Sequence, residues 1–464
     1  MNEDQAYKAA CQAVEKLVED LGTGARFPFD QLRHYTDQDI PGTYWRLLSR
    51  NGDIEPTGNM TKTFTPERRG TVTREYRPGP RFQPEPRASG AVSDALKELQ
   101  KAMDARGCII TSAELANFYL ALMSSPIIIL AGLSGTGKSW IPRLFAELTR
   151  ADLTAISVQP QWSDNAELFG YTPSLNPTTF IEGHFTRALR SAAATPDKSA
   201  IVLLDEMNLA VVEHYFSDFL SIVETRRRDA QAIITDALPL DLPHPDAEDV
   251  YQELRALYLP SNARVIGTAN MDETTRAFSP KVIDRAFVIE FDDVDLTAFS
   301  SYTYEEINEH LLPVLVNRLI DTESPVSVRE VYEDSELFFH GIAGLLEEIR
   351  QLLKPAGISI GYRTRDAILL YLWHWHNDSL ADILTIDAAF DLCVLQKILP
   401  KITGTGESLH QALEQLRDWL QQSRRLNPDT SSMLPSGPFE RAAEKVDRML
   451  QRLEVEGATT YWGG

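Results

Sequence analysis

The sequence predicts an α/β protein, with a parallel, doubly wound sheet between a small α+β N-terminal domain and a helical C-terminal region. Three observations carry this expectation. Four short apolar runs, at 127–130, 201–204, 265–268 and 288–291, alternate with helix-like segments. Strands buried on both faces of a parallel sheet read this way. A glycine-rich loop, Gly132-Leu-Ser-Gly-Thr-Gly-Lys-Ser139, follows the first run and leads into a helix-like segment from Trp140 to Leu148. Beyond about residue 300 the strands stop and helical spacing takes over, as in Leu345, Leu346, Ile349, Leu352 and Leu353.

Taken in order, residues 1–90 form the N-terminal domain and its linker. Ala6, Ala10, Val14, Leu17 and Val18 recur at helical spacing. An aromatic segment follows (Phe27, Phe29, Tyr35, Tyr44, Trp45), with turns at Asn51-Gly52 and Thr57-Gly58-Asn59. Pro78, Pro80, Pro84 and Pro86 favour an extended connection and mark the boundary. Seven basic residues (Lys62, Arg68, Arg69, Arg74, Arg77, Arg81, Arg87) face three acidic ones (Glu67, Glu75, Glu85) around it. They read as a solvated linker, with target or partner recognition as the other use. Residues 91–300 form the α/β core and 301–464 the helical region.

Composition narrows the function. A formal net charge of −22 over 464 residues repels phosphate backbones. Any DNA contact must therefore be local or supplied by a partner. Three scattered cysteines, Cys11, Cys108 and Cys393, fit neither a disulfide framework nor a zinc site. No run approaches the roughly 20 apolar residues of a membrane span, and Met1-Asn2-Glu3-Asp4 is unlike a signal sequence. The expectation is a cytoplasmic protein without a membrane partner.

The glycine-rich loop matches G-x-x-x-x-G-K-[ST], the Walker A phosphate loop. Backbone turning at Gly132, Gly135 and Gly137 lets N–H groups, including those of Ser134 and Thr136, converge on phosphates. Lys138 would reach the β and γ phosphates, and Ser139 would hold magnesium. Asp205 and Glu206 end the second apolar strand, expected beside the first. There Asp205 can serve the metal and Glu206 can polarise the attacking water. Asn270 ends the third strand and can hold that water between the other two strand ends. Arg285 immediately precedes the last core strand. Arg363 and Arg365 flank Thr364 at the start of a helix, where either can serve as a lid sensor. Ion pairing with Asp284 or Asp366 is the plain alternative for these arginines. The nine histidines show no ligand spacing; His374 and His376 alternate with Trp373 and Trp375 on a helix.

This order of loop, Asp-Glu, Asn, Asp-Arg and lid arginine resembles the AAA+ superfamily. Gly267-Thr-Ala-Asn-Met-Asp-Glu-Thr-Thr275, Phe278-Ser-Pro-Lys-Val-Ile-Asp-Arg-Ala286, Gly361-Tyr-Arg-Thr-Arg365 and Leu395-Gln-Lys-Ile-Leu-Pro-Lys-Ile-Thr-Gly404 are similar to its McrB-like branch. That branch comprises motor subunits of modification-dependent restriction systems. The resemblance spans roughly 105–460 and excludes the N-terminal domain. It implies a magnesium-dependent ATPase in a homo-oligomeric, hexameric ring, with Arg285 completing a neighbour's site. It also implies a separately encoded McrC-like nuclease subunit and a role in anti-phage defence. The stretch from Leu168 to Phe185 resembles a hairpin insertion near the pore, with ordinary packing as the other reading of Phe180 and Phe185. The GTP-hydrolysing member of the branch has Asn-Thr-Ala-Asp-Arg after its third strand. Met271-Asp-Glu-Thr-Thr275 stands here instead, so ATP is favoured and GTP stays open. A MoxR-like protein-remodelling ATPase and a nucleotide-gated scaffold with negligible hydrolysis are the alternatives.

Overall fold

The computed structural model describes residues 12–14, 16, 27–28, 54–62, 72–78, 91–229, 232–244, 250–271, 278–291, 297, 307–424 and 433–462. It falls into two units, Met1–Ser89 and Gly90–Gly464. In the first, β1 (Phe27–Pro28), β2 (Ile54–Lys62) and β3 (Val72–Pro78) make an antiparallel sheet in the order β1-β3-β2. Thr57-Gly58-Asn59, expected as a turn, lies instead inside β2, where the register shifts between Pro56 and Met60. Two extra residues on β2 are taken up as a bulge without ending the ladder. The Asn51-Gly52 turn, Tyr35, Tyr44, Trp45, most of the first helix and the linker beyond Pro78 lie outside the described residues.

The second unit is built on β4 (Ile127–Gly132), β5 (Asp152–Ser157), β8 (Ala200–Asp205), β11 (Ala263–Asn270) and β12 (Phe287–Glu290). All pairs are parallel, in the order β12-β4-β11-β8-β5. The expectation that the Asp205–Glu206 strand adjoins the phosphate-loop strand is corrected here. β11 intervenes, since a crossover can return to any free edge and local sequence does not choose which. β5 went unanticipated: it lies at the edge and buries only Ile156, so Asp152-Leu-Thr-Ala-Ile-Ser157 shows no apolar run.

Alternation along each strand divides the core. Ile128, Leu130, Ile201, Leu203, Ile266, Phe287 and Ile289 face one side, against helices Ala91–Ala105, Ser112–Ser124, Trp140–Thr149 and the C-terminal helices. Ile127, Ile129, Val202, Leu204, Val265 and Val288 face the other, against helices His184–Ala194 and Val212–Val223. Thr111 and Glu114 form a capping box on the helix that leads into β4: the Thr111 Oγ1 accepts from the Glu114 N–H at 3.2 Å, and the Thr111 N–H donates to Glu114 at 2.8 Å.

Among the described residues, two hairpins decorate this frame. β6 (Gly170–Tyr171) pairs with β7 (Ile181–Glu182), and β9 (Arg227–Asp229) with β10 (Ala232–Ile234). The expectation that strands end near residue 300 is also corrected. β13 (Thr403–Thr405) and β14 (Ala458–Thr460) form an antiparallel pair. Three-residue strands are too short to leave a periodicity in the sequence. The rest of the region is helical, with its longest helices at Glu336–Leu353, Tyr362–Asn377, Ile386–Lys397, Glu407–Gln421 and Glu440–Glu456. Among the described residues no helix is long and apolar enough to cross a membrane.

Candidate functional site

The phosphate loop leaves β4 at Gly132 and enters helix Trp140–Thr149 after Ser139. Gly135 and Gly137 adopt φ of +86° and +89°, a conformation that side-chain-bearing residues rarely take. The Gly137 carbonyl accepts the N–H groups of Trp140 and Ile141, at 2.8 and 3.0 Å, which starts the helix at once. Gly132, Ser134, Gly135, Thr136 and Gly137 thus form one turn, braced by a 3.0 Å bond from Thr136 Oγ1 to the Leu133 carbonyl. Lys138 is 5% exposed and folds back on the loop, where Nζ donates to the Leu133 carbonyl.

The next strand end meets this loop directly. Ser139 Oγ donates to Asp205 Oδ1 at 2.5 Å. Thr268 Oγ1, on β11, donates to the same oxygen at 2.8 Å. That hydroxyl also accepts the Glu206 N–H at 2.9 Å, and Asn270 Nδ2 donates to Glu206 Oε1 at 3.2 Å. Glu206 itself takes a left-handed backbone conformation, φ 55° and ψ 48°, at the point where β8 breaks into a short 3-10 turn. Such a conformation is uncommon for glutamate and throws its exposed carboxylate off the strand direction. The structure brings together Lys138, Ser139, Asp205, Glu206 and Asn270, across three adjacent strands.

Ser139 and Asp205 present hard oxygen donors a hydrogen bond apart, beside a loop shaped for phosphate. This fits magnesium, which takes oxygen ligands and retains several waters.

The arginines gather elsewhere. Arg285 donates through Nη1 to the Lys281 carbonyl at 2.6 Å, and its Nη2 pairs with Glu224. Arg363 Nη2 meets the same Glu224 oxygen at 2.7 Å. Glu224 caps the C-terminal end of helix Val212–Val223. Arg365 turns away, pairing with Asp366 at 2.6 Å and lying over the Tyr362 ring. Arg365 thus makes the Asp366 ion pair expected as its plain alternative, whereas Arg285 leaves Asp284 to Lys401.

The reading of residues missed any role for Thr268, Glu224, Lys397 and Lys401; three of these lie inside stretches that resemble the McrB-like branch, and Glu224 lies in none. Phe180 and Phe185 are buried, Phe185 against Phe169 and Phe219 and Phe180 against Tyr251, so both are packing residues. Leu175, between β6 and β7, is wholly exposed.

Residues 127–287 match the AAA domain of the dynein-related subfamily. Residues 323–458 match a domain of unknown function (DUF8727). The chain is 25% identical over 174 residues to the type IV methyl-directed restriction enzyme EcoKMcrB subunit of Escherichia coli K12. That match takes in 36% of this chain and 35% of the relative, so it spans about a third of the relative's length. A crystal structure of a candidate ATPase from Cytophaga hutchinsonii is 14% identical, with a TM-score of 0.40 over 78% of this chain and 94% of that one. The matched core, its sheet order and its phosphate loop make this chain one that carries an AAA+ domain, the fold of the AAA+ ATPases.

Proposed function

We propose that this chain is a magnesium-dependent AAA+ nucleoside triphosphatase that prefers ATP to GTP and works as a ring, most simply a hexamer. The observation that carries the reading is the continuous hydrogen-bonded set Ser139–Asp205–Thr268–Glu206–Asn270 beside the phosphate loop. Lys138 and the loop amides hold the phosphates. Ser139 and Asp205 hold magnesium, which when bound neutralises charge on the β and γ phosphates. Glu206 takes a proton from water, and Asn270 orients that carboxylate and the water. A carboxylate turned off its strand and held by an amide suits general-base work better than a passive surface role. This favours hydrolysis over the scaffold reading.

Arg285 and Arg363 lie on the Glu224 carboxylate rather than on the subunit's own loop. That placement supports a role at a neighbour's γ-phosphate, with phosphate oxygens replacing the carboxylate. Of the two lid arginines, Arg363 is the one in position to act with Arg285. The relative's name, a subunit of a restriction enzyme, supports a restriction-type defence setting; in it this chain is the motor that drives a separate McrC-like nuclease subunit.

Steady-state hydrolysis of ATP and GTP with magnesium, at several protein concentrations, tests the reading. Turnover per subunit should rise with concentration, favour ATP, and fall at least about 10³-fold in Arg285→Ala. Turnover independent of concentration and untouched by Arg285→Ala would overturn the shared site; a GTP preference would overturn the nucleotide assignment.

A further inference from the structure

Lys397 ends helix Ile386–Lys397 and is 1% exposed, a place where a lysine is costly unless its ammonium finds acceptors. Its acceptors are three backbone carbonyls from one short segment of the AAA+ domain. Nζ donates to the carbonyls of Ala286 at 2.7 Å, Asp284 at 3.1 Å and Ile283 at 3.4 Å. These residues flank Arg285 on both sides. Nζ also lies 5.1 Å above the ring of Phe287, the first residue of β12. Burial, with the neighbouring Lys401 ammonium, pushes Lys397 down to about 7.

Lys401 completes the arrangement one turn on. It pairs with the Asp284 carboxylate and donates to Thr364 Oγ1 at 2.6 Å. Thr364 is fully buried between Arg363 and Arg365. The bonds therefore close a circuit: Thr364 to Lys401, Lys401 to Asp284, Asp284 along the chain to Arg285, Arg285 to Glu224, and Glu224 to Arg363. Both lysines lie within 323–458, the domain of unknown function, whereas the segment they hold lies in the AAA+ domain. A buried ammonium has three donors to satisfy. This one spends its donors on the backbone of a single functional loop. Among the described residues the buried Arg285 Nε has no hydrogen-bond partner.

We propose that Lys397, with Lys401 beside it, is a positioning residue for Arg285, through which the helical region sets the reach of that arginine into the neighbouring site. The inference rests on the proposed role of Arg285 in a shared site. It assigns to the helical domain a task besides closing over nucleotide: aiming the arginine of the domain to which it is attached. Displacements of about 1 Å at such a group can cost about 10²-fold in rate, so the bracket has to be stiff.

The test is complementation between full-length variants. Glu206→Gln subunits contribute intact arginines but no hydrolysis, and Arg285→Ala subunits contribute an intact pocket without the arginine. Mixed, this pair should regain hydrolysis above the sum of the two alone. Lys397→Met alone should lose about 10²-fold in kcat, with binding of a fluorescent ATP analogue changed less than about threefold. Mixed with Glu206→Gln it should recover as Arg285→Ala does; mixed with Arg285→Ala it should not. Lys397→Arg should keep part of the rate. Where Lys397→Met does not fold, Lys401→Met runs through the same mixtures with a smaller loss. Wild-type turnover in the lysine variant, or a loss that Glu206→Gln subunits cannot repair although they repair Arg285→Ala, overturns the inference alone. If Glu206→Gln and Arg285→Ala fail to restore each other, the shared-site reading falls and takes this inference with it.

Discussion

Thr268 uses one hydroxyl twice, donating to Asp205 and accepting from the Glu206 N–H. It thereby fixes the metal-side carboxylate and the backbone of the proposed base relative to each other. Thr268→Val keeps the shape and removes both bonds, leaving a backbone donor without its acceptor. The expected cost is about 1–3 kcal/mol of stability, with kcat down roughly tenfold and nucleotide affinity nearly unchanged. Thermal melting and hydrolysis measured on Thr268→Val and Thr268→Ser check this; a valine variant at the wild-type rate would remove Thr268 from the mechanism. At this scale the phosphate loop, Asp205, Glu206 and Asn270 were legible because each sits in a short motif. Thr268, Glu224 and Lys397 were not. Their partners come from segments scores of residues away, and the stretches that hold Thr268 and Lys397 do not say what either touches.

Helix Glu440–Glu456 begins without a capping side chain of its own. Asp391, from helix Ile386–Lys397, supplies one instead, accepting the N–H groups of Arg441 and Ala442 at 2.9 Å each. The two amides pull its carboxyl down, but burial outweighs them and pushes it up to about 6. A carboxyl raised in the folded state adds stability that is fully present below its ordinary value of 3.8. That contribution is lost as pH rises through 6. Wild type should therefore lose about 2–3 kcal/mol relative to Asp391→Asn between pH 4 and pH 7. Melts of both proteins across that range measure the difference, and parallel curves would show that Asp391 is not protonated in the fold. Among the elements, the apolar strands were readable and β5, β13 and β14 were not. An edge strand that buries one residue, and strands of three residues, give too little hydrophobic signal to separate from loop.

Across the whole molecule the net charge of −22 sets the terms of any contact with nucleic acid. With that net charge repelling phosphates, the chain alone should not shift duplex DNA at about 0.15 M salt. Retention of DNA should appear only with the nuclease partner, or at low salt. A gel-shift titration of the isolated chain decides it; tight binding at that salt would place a DNA site on this subunit and undo the division of labour proposed above.

Sequence by itself determined the parallel core, the place of the phosphate loop at the end of a buried strand, and the residue types gathered for hydrolysis. These follow from local rules: strand burial, glycine geometry, and the fixed spacing of a loop that binds phosphate. Tertiary structure decided which strands are neighbours, and so why Thr268 rather than a residue of β4 joins the two acids. It also decided that Arg363 and not Arg365 shares Glu224 with Arg285, and that a lysine from the helical region holds the carbonyls around Arg285. The physical reason is the same each time. Strand order and side-chain partners are settled by crossovers and by packing between distant segments, which act through space and leave no periodicity along the chain.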